Sequence, residues 1–147
     1  MRRDANVRTV QDFDRHDSLK LGVIRSIRYS PQANQFVDRL DTAHRVTYAT
    51  GFEPLFQILF ENQIQGMLVE PVDYPAIEAL RLRDATTILE FDDAPVLHGL
   101  VMSKRSLAPE QQQAWRELIL AMRADGTMRR IFEKYLAPEL ARAMTQF

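Results

Sequence analysis

The chain has 147 residues, of which 46% are hydrophobic and 27% are charged. This length and composition fit one globular domain with a buried core. A net charge of -1 creates no field that would attract nucleic acid or acidic lipid, and the lack of cysteine excludes disulfides and thiolate metal sites. No apolar run is long enough to span a bilayer, and the N-terminus lacks the apolar core of a signal peptide.

The first half of the chain alternates strand-like and helix-like segments. Residues 1–18 are polar and weakly patterned, so we predict a lead-in. Strands are predicted at 19–24, 46–49 and 66–69. The first helix begins at Ser30-Pro31, because serine is a favoured N-cap and proline suits the first helical turn. A second helix follows Gly51.

The segments that follow extend this alternation. A helix is predicted over 73–84, and further strands over 86–91 and 96–103. Such alternation predicts an α/β fold: a three-layer, doubly wound, mostly parallel sheet of about five strands. We expect a single domain, with the α/β lobe at 19–104 and a helical segment at 105–147.

The last third is predicted to be helical. Pro109 and Pro138 each begin a helix, and Gly126 ends the first of them in a left-handed conformation. Large apolar side chains share one face of these helices: Trp115, Leu118, Ile119, Met122, Ile131, Phe132, Tyr135 and Leu136. Faces this apolar must fold back on the sheet or meet another chain.

The loop 25–30 is the first candidate for a binding site. It lies between a strand and a helix, at the carboxyl end of the predicted sheet, where open α/β folds bind ligands. A helix start favours anions, and Arg25 and Arg28 add positive charge. A solvated helix cap with surface arginines explains the same residues. Glu70 ends the third strand at the same edge, as an acceptor for an amine or as an internal ion-pair partner of either arginine.

Other polar residues form no recognisable reaction centre. The three histidines, His16, His44 and His98, are too dispersed for a metal motif. The pair Asp92-Asp93 predicts a polar turn. We therefore predict no catalytic residue, no metal site and no cofactor. Three aromatic residues could line a cleft or could pack in the core: Tyr29, Phe52 and Phe91.

Three segments carry a family resemblance: Val10-Gln-Asp-Phe13 through Leu21-Gly-Val-Ile24, then Leu59 to Glu70, and finally Gly99-Leu-Val-Met-Ser-Lys104 with 118–135. In this order they resemble the second lobe of extracellular solute-binding proteins of family 3, the polar-amino-acid receptors of ABC importers. The resemblance implies a periplasmic-binding-protein-like lobe whose first lobe is missing.

The resemblance also implies a site and a function. The ligand-binding residues would be Arg25, Ser26, Ile27, Arg28, Tyr29, Ser30 and Glu70. The chain departs from the family at Ile27, where a hydroxyl residue is usual, and it lacks the first-lobe arginine that clamps a ligand carboxylate. We expect a non-enzymatic domain, a truncated relative of an amino-acid receptor, that binds a small polar or anionic solute weakly or not at all.

Alternatives remain open at this stage. The same fold also occurs in ligand-sensing modules of regulatory systems. Two further alternatives are an enzyme that recruited this fold and a structural remnant whose role is interaction only. The family is periplasmic, but the missing signal peptide leaves the cytoplasm open. We expect a homodimer through the C-terminal strand and helices, with an ABC permease as partner only if the ancestral role is kept, and no nucleic-acid partner.

Overall fold

The computed structural model describes residues 1–79, 82–93 and 99–146. The chain divides into two compact units. We call Met1–Glu70 with Ala76–Val96 the α/β unit, and Pro71–Pro75 with Leu97–Phe147 the helical unit. That the whole chain behaves as a single domain stays a prediction.

The α/β unit follows the predicted alternation of strands and helices. Its elements are α1 (Val10–Arg15), β1 (Leu21–Ile24), α2 (Pro31–Thr42), β2 (Val46–Ala49), α3 (Phe52–Phe60) and β3 (Gly66–Met67). A short 3-10 turn, Pro71–Asp73, then leads into α4 (Tyr74–Ala79), which crosses the division between the units. The helix predicted over 73–84 is therefore shorter than expected.

The three strands form a parallel sheet in the order β2-β1-β3. Alternate residues of β1 point to opposite faces, as the strand period requires. Leu21 and Val23 join a core cluster with α1 and α2, whereas Ile24 joins a second cluster with α3. The α/β class is thus confirmed, with helices on both faces of a small sheet.

The prediction of about five strands was wrong. Residues 86–91 contribute only an isolated antiparallel bridge between Thr86 and Arg2. The N-terminal residues hold the start of this segment, because the N–H of Thr87 donates to the carbonyl of Met1 at 2.7 Å. Residues 99–103 form no strand, and Val101 is 94% exposed. The rest of that predicted strand, including His98, lies outside the described residues.

Residues 86–91 and 99–103 have the composition of strands. Strand propensity describes how a side chain fits a half-buried pleated surface, so it has no effect where no neighbouring strand provides one. A run of apolar residues therefore does not determine that a strand forms.

The lead-in contains a helix that the sequence reading missed. Thr9 caps α1: its hydroxyl accepts from the N–H of Asp12 at 3.0 Å, while the Asp12 carboxylate accepts from the N–H of Thr9 at 3.1 Å. Phe13 of this helix is 1% exposed and packs edge-on against Phe36. The spacing of Thr9 and Asp12 resembles a capping box, which would have predicted the helix start.

A buried arginine joins α1 to the sheet. Arg45 is 7% exposed, and its guanidinium donates to the carbonyls of Phe13, Asp14 and Leu19 at 2.7–2.9 Å. Two of these carbonyls belong to the end of α1, where a helix leaves carbonyls without intrahelical partners. Arg45 therefore satisfies several backbone groups at once.

The helical unit contains α5 (Pro109–Ala124), α6 (Thr127–Phe132) and α7 (Pro138–Ala143). Their starts and the left-handed Gly126, with φ of 75°, confirm the prediction for this region. Ala141 is the sole buried apolar residue among the described residues of this unit. No helix in the described ranges is long and apolar enough to cross a membrane.

Candidate functional site

The predicted binding loop lies at the carboxyl edge of the sheet. Residues 25–30 connect β1 to α2, and residues 68–70 follow β3 on one side of β1. From β1 the chain winds through α2 to β2, and from β2 through α3 to β3, with these helices on opposite faces. The direction in which the chain crosses the sheet therefore reverses between the carboxyl ends of β1 and β3. Open α/β sheets bind ligands at such reversal points.

The two residues before α2 are engaged in building the loop. The Ser30 hydroxyl oxygen caps α2 by accepting from the N–H of Ala33 at 3.2 Å. The Tyr29 hydroxyl accepts from the N–H of Ile24 at 3.3 Å, and the Tyr29 backbone is bonded on both sides to the Asn34 amide. Ser30 and Tyr29 therefore hold the loop in shape.

The first four residues of the loop face solvent. Arg25, Ser26, Ile27 and Arg28 are exposed, and Ser26 adopts the left-handed conformation with φ of 68°. This turn directs the chain away from β1 and leaves two positive charges in water at the sheet edge. Ile27 is 39% exposed.

Arg25 is directed toward β2. Its guanidinium lies 5.0 Å from the ring centroid of Tyr48, a cation–π contact. Desolvation by partial burial and the neighbouring Asp41 carboxylate raise the pKa of Tyr48. Glu70 follows β3 on the other side of β1 and is half-buried. The predicted residues therefore lie along one edge, on both sides of the central strand.

An acidic segment meets the start of α2. The Ser30 hydroxyl donates to the Asp93 carboxylate, and the Gln32 amide donates to the Asp92 carbonyl at 2.6 Å. A carboxylate is favourable at a helix N-terminus because the dipole is positive there. The sequence suggested only a polar turn at 92–93, and the structure adds that this turn faces the helix start.

Two of the aromatic residues considered for a cleft wall pack internally. Phe91 lies edge-on to Phe36 with ring centroids 5.6 Å apart, and Phe52 lies 6.1 Å from Phe56. His16 and His44 are both exposed. Within the described part of the chain, no group of three histidine or acidic side chains could hold a metal ion.

The α/β unit also has a groove that the sequence did not predict. A groove of about 660 Å³ lies between the start of α1, one face of α2 and residues 88–92. None of the residues 25–30 lines it. The sequence predicted a strand over 86–91 but no binding surface along it.

Comparison with known proteins found no family model, no curated protein and no solved structure that matches this chain. The resemblance to solute-binding proteins therefore rests on the three sequence segments alone. What the chain can bind has to be argued from the geometry of the sheet edge and of the surfaces around it.

Proposed function

We propose that the α/β unit is a non-enzymatic binding domain, similar to one lobe of a solute-binding protein, that takes a small polar or anionic solute at its carboxyl sheet edge. The observation that carries this proposal is the position of the exposed loop 25–28, with its two arginines, at the reversal of winding between β1 and β3. Ligands of open α/β sheets bind at this position.

The roles of the residues follow from their contacts. Arg25 and Arg28 would attract the anionic group, and Ser26 would donate a hydrogen bond from the turn. Glu70, three residues beyond the end of β3, would accept from a cationic group such as an amine. Ser30 and Tyr29 would act indirectly, because their hydroxyls already hold the loop on α2 and β1.

Asp93 is a reason to expect weak binding. Its carboxylate accepts from Ser30 at the start of α2, where a ligand anion would otherwise meet the helix dipole. An incoming anion must displace this carboxylate or bind beside it, on the arginines alone. A single sheet edge also covers less of a ligand than an enclosed pocket does.

A calorimetric titration of the full chain with a panel of amino acids and with inorganic phosphate tests this proposal. We expect dissociation constants on the order of 1 mM, which corresponds to about 4 kcal/mol. The double variant Arg25→Ala/Arg28→Ala should abolish binding. The matched control Arg15→Ala, at an exposed arginine of α1, should leave it unchanged.

Two results would contradict parts of the proposal. A micromolar dissociation constant would show that the edge is a complete site and that binding is not weak. Equal binding by the double variant and by the control would remove the loop from the site.

We further propose that the helical unit self-associates through α5. Trp115 and Leu118 lie three residues apart on one helix face and are 46% and 47% exposed. A helix of 16 residues is about 24 Å long, so this face offers an extended apolar surface to the same face of a second copy.

Light scattering coupled to size exclusion tests self-association at micromolar concentration. Leu118→Glu should produce a monomer, because a charge would be buried in the interface. Leu120→Glu is the matched control: Leu120 is 54% exposed, but it lies off the Trp115–Leu118 face. A monomeric parent chain would remove the proposal.

A further inference from the structure

Residues 88–92 form an extended segment outside the three-stranded sheet. Its burial alternates with the period of a strand, since Leu89 and Phe91 pack against the core while residues 88, 90 and 92 are exposed. The segment therefore has the side-chain arrangement of a strand, with one face on the core and one face in solvent.

One edge of this segment is covered at its start by the N-terminal residues. The N–H of Thr87 donates to the carbonyl of Met1, and the carbonyl of Ala85 accepts from the N–H of Arg3 at 2.9 Å. In a strand, residues two apart present their N–H and C=O groups to the same edge. Odd-numbered residues thus face the N-terminal segment, and Ile88 and Glu90 face the other edge.

The second edge is open. The Asp92 carbonyl accepts from the Gln32 side chain of α2, so α2 lies on the side to which even-numbered residues point. Within the described ranges, no backbone group of residues 88–91 is bonded to another backbone group. Unpaired strand edges are templates for pairing with another extended chain.

The groove of about 660 Å³ lies along this open edge. Val10 and Phe36 contribute apolar surface to its lining, and the exposed Glu90 and Asp92 place negative charge along the edge itself. The exposed Arg8 places a positive charge on the opposite side of the groove, just before α1. Asp14, also in the lining, is paired with Arg39 at 3.0 Å, so its charge is already balanced. The volume lies within the range of ligand sites.

We propose that this groove binds an extended peptide, which adds a strand to the edge at residues 88–91. Backbone hydrogen bonds would supply affinity, as in other β-augmentation sites. Apolar side chains of the peptide lie beside Leu89 and Phe91, and basic side chains lie beside Glu90 and Asp92, because opposite charges stabilise cross-strand neighbours. The ligand is thus a peptide that alternates apolar and basic residues.

The groove is separate from the sheet-edge site, since no residue of the loop 25–30 lines it. Peptide binding and solute binding can therefore fail or succeed independently. Asp92 and Gln32 close one end of the open edge, so the peptide pairs with four residues, a span of about 13 Å.

Fluorescence anisotropy with the full chain tests the proposal. The probe is a labelled, acetylated and amidated hexapeptide of alternating lysine and valine. We expect it to bind about tenfold more tightly than the same residues in two blocks, and than a version N-methylated at one central valine, which lacks a hydrogen-bond donor. Equal binding of the three peptides would overturn strand addition.

Variants at Glu90 separate the contribution of the backbone N–H to peptide binding from that of the side-chain charge. Glu90→Pro removes the edge N–H and should weaken binding by about tenfold or more, whereas Glu90→Gln keeps that N–H and should weaken it less. Glu53→Gln, an exposed glutamate of α3, is the control and should bind as the parent chain does. Should Glu90→Pro fail to fold, the N-methylated peptide still tests the backbone pairing.

Reversing the charges at positions 90 and 92 tests which peptide charge the groove prefers. The double variant Glu90→Lys/Asp92→Lys should prefer a hexapeptide of alternating glutamate and valine over the lysine peptide. An unchanged preference would contradict the proposed peptide chemistry. Self-association that Glu90→Pro abolishes, without any peptide binding, would assign the edge to a second copy and overturn the proposal.

Discussion

The two units of this chain contain similar helices but bury them differently. In the α/β unit, α2 has 12 residues and buries Ala33, Phe36 and Leu40. In the helical unit, α5 has 16 residues and buries none, although Trp115 and Leu118 lie on one apolar face. An amphipathic pattern therefore makes a helix able to pack, but burial requires a surface to pack against.

The sheet provides that surface in the α/β unit. β1 is flanked by β2 and β3 and places residues on two core clusters, one with α2 and one with α3. The described helical unit has no strand, and its single buried apolar residue is Ala141. Stability should accordingly depend mainly on the α/β unit, and four substitutions test this difference.

The largest effect is expected at Leu55. This residue of α3 is 0% exposed, so Leu55→Ala removes buried methyl groups and leaves a cavity. The free energy of unfolding should fall by about 2–5 kcal/mol, as measured by urea denaturation. A loss below about 1 kcal/mol would show that the cluster on this face of the sheet is loosely packed.

A loss of about 3 kcal/mol is expected for Arg45→Met. Methionine preserves the apolar stem beside Phe13 but removes three hydrogen bonds to backbone carbonyls, of which the Phe13 carbonyl keeps a second donor, the N–H of His16. Arg15→Met, at an exposed arginine of α1, is the control and should change stability by less than about 0.5 kcal/mol. Equal effects at the two positions would remove the proposed role of the buried guanidinium.

Gly22→Ala should destabilise by about 1–3 kcal/mol, because the core has no room for another methyl group. A Cβ at this position of β1 would lie 2.5 Å from Leu55 Cδ1 and 2.4 Å from Ile64 Cδ1. Gly51→Ala is a suitable control, since a Cβ there meets nothing within 4 Å. Thermal denaturation of both variants would show whether close packing, rather than the loss of glycine, causes the effect.

The smallest effect is expected for Leu118→Ala measured at low protein concentration, where self-association is absent. The side chain is 47% exposed, so the stability should change by about 0.5 kcal/mol or less. At high concentration the same variant should lose stability relative to the parent chain, because a second copy stabilises the folded state by mass action. A large loss at both concentrations would mean that this face is buried within one chain.

Much of the secondary structure could be predicted because its causes are local. Ser30 and Pro31 begin α2 through a capping hydrogen bond and a fixed φ, and Gly126 ends α5 because glycine tolerates a positive φ. The helix α1 escaped prediction although its capping pair, Thr9 and Asp12, was visible in the sequence.

The candidate loop could be located from the sequence, but its bonding could not. That residues 25–30 follow a strand and precede a helix was clear from the alternation. The bond from Ser30 to Asp93 joins positions 63 residues apart, and the contact of Arg25 with Tyr48 joins positions 23 residues apart. Such pairings are decided by the way the chain returns to the same place.

By itself, the sequence determined where helices begin and end, which residues can face a core and which segments can extend. Only the tertiary structure decided which of these segments found a partner. Among the described residues, β1 pairs on both sides, whereas residues 88–91 keep an open edge and residues 99–103 pair with no strand. The physical reason is that capping and turn preferences act within a few residues. Strand pairing and burial instead depend on surfaces supplied by distant parts of the chain.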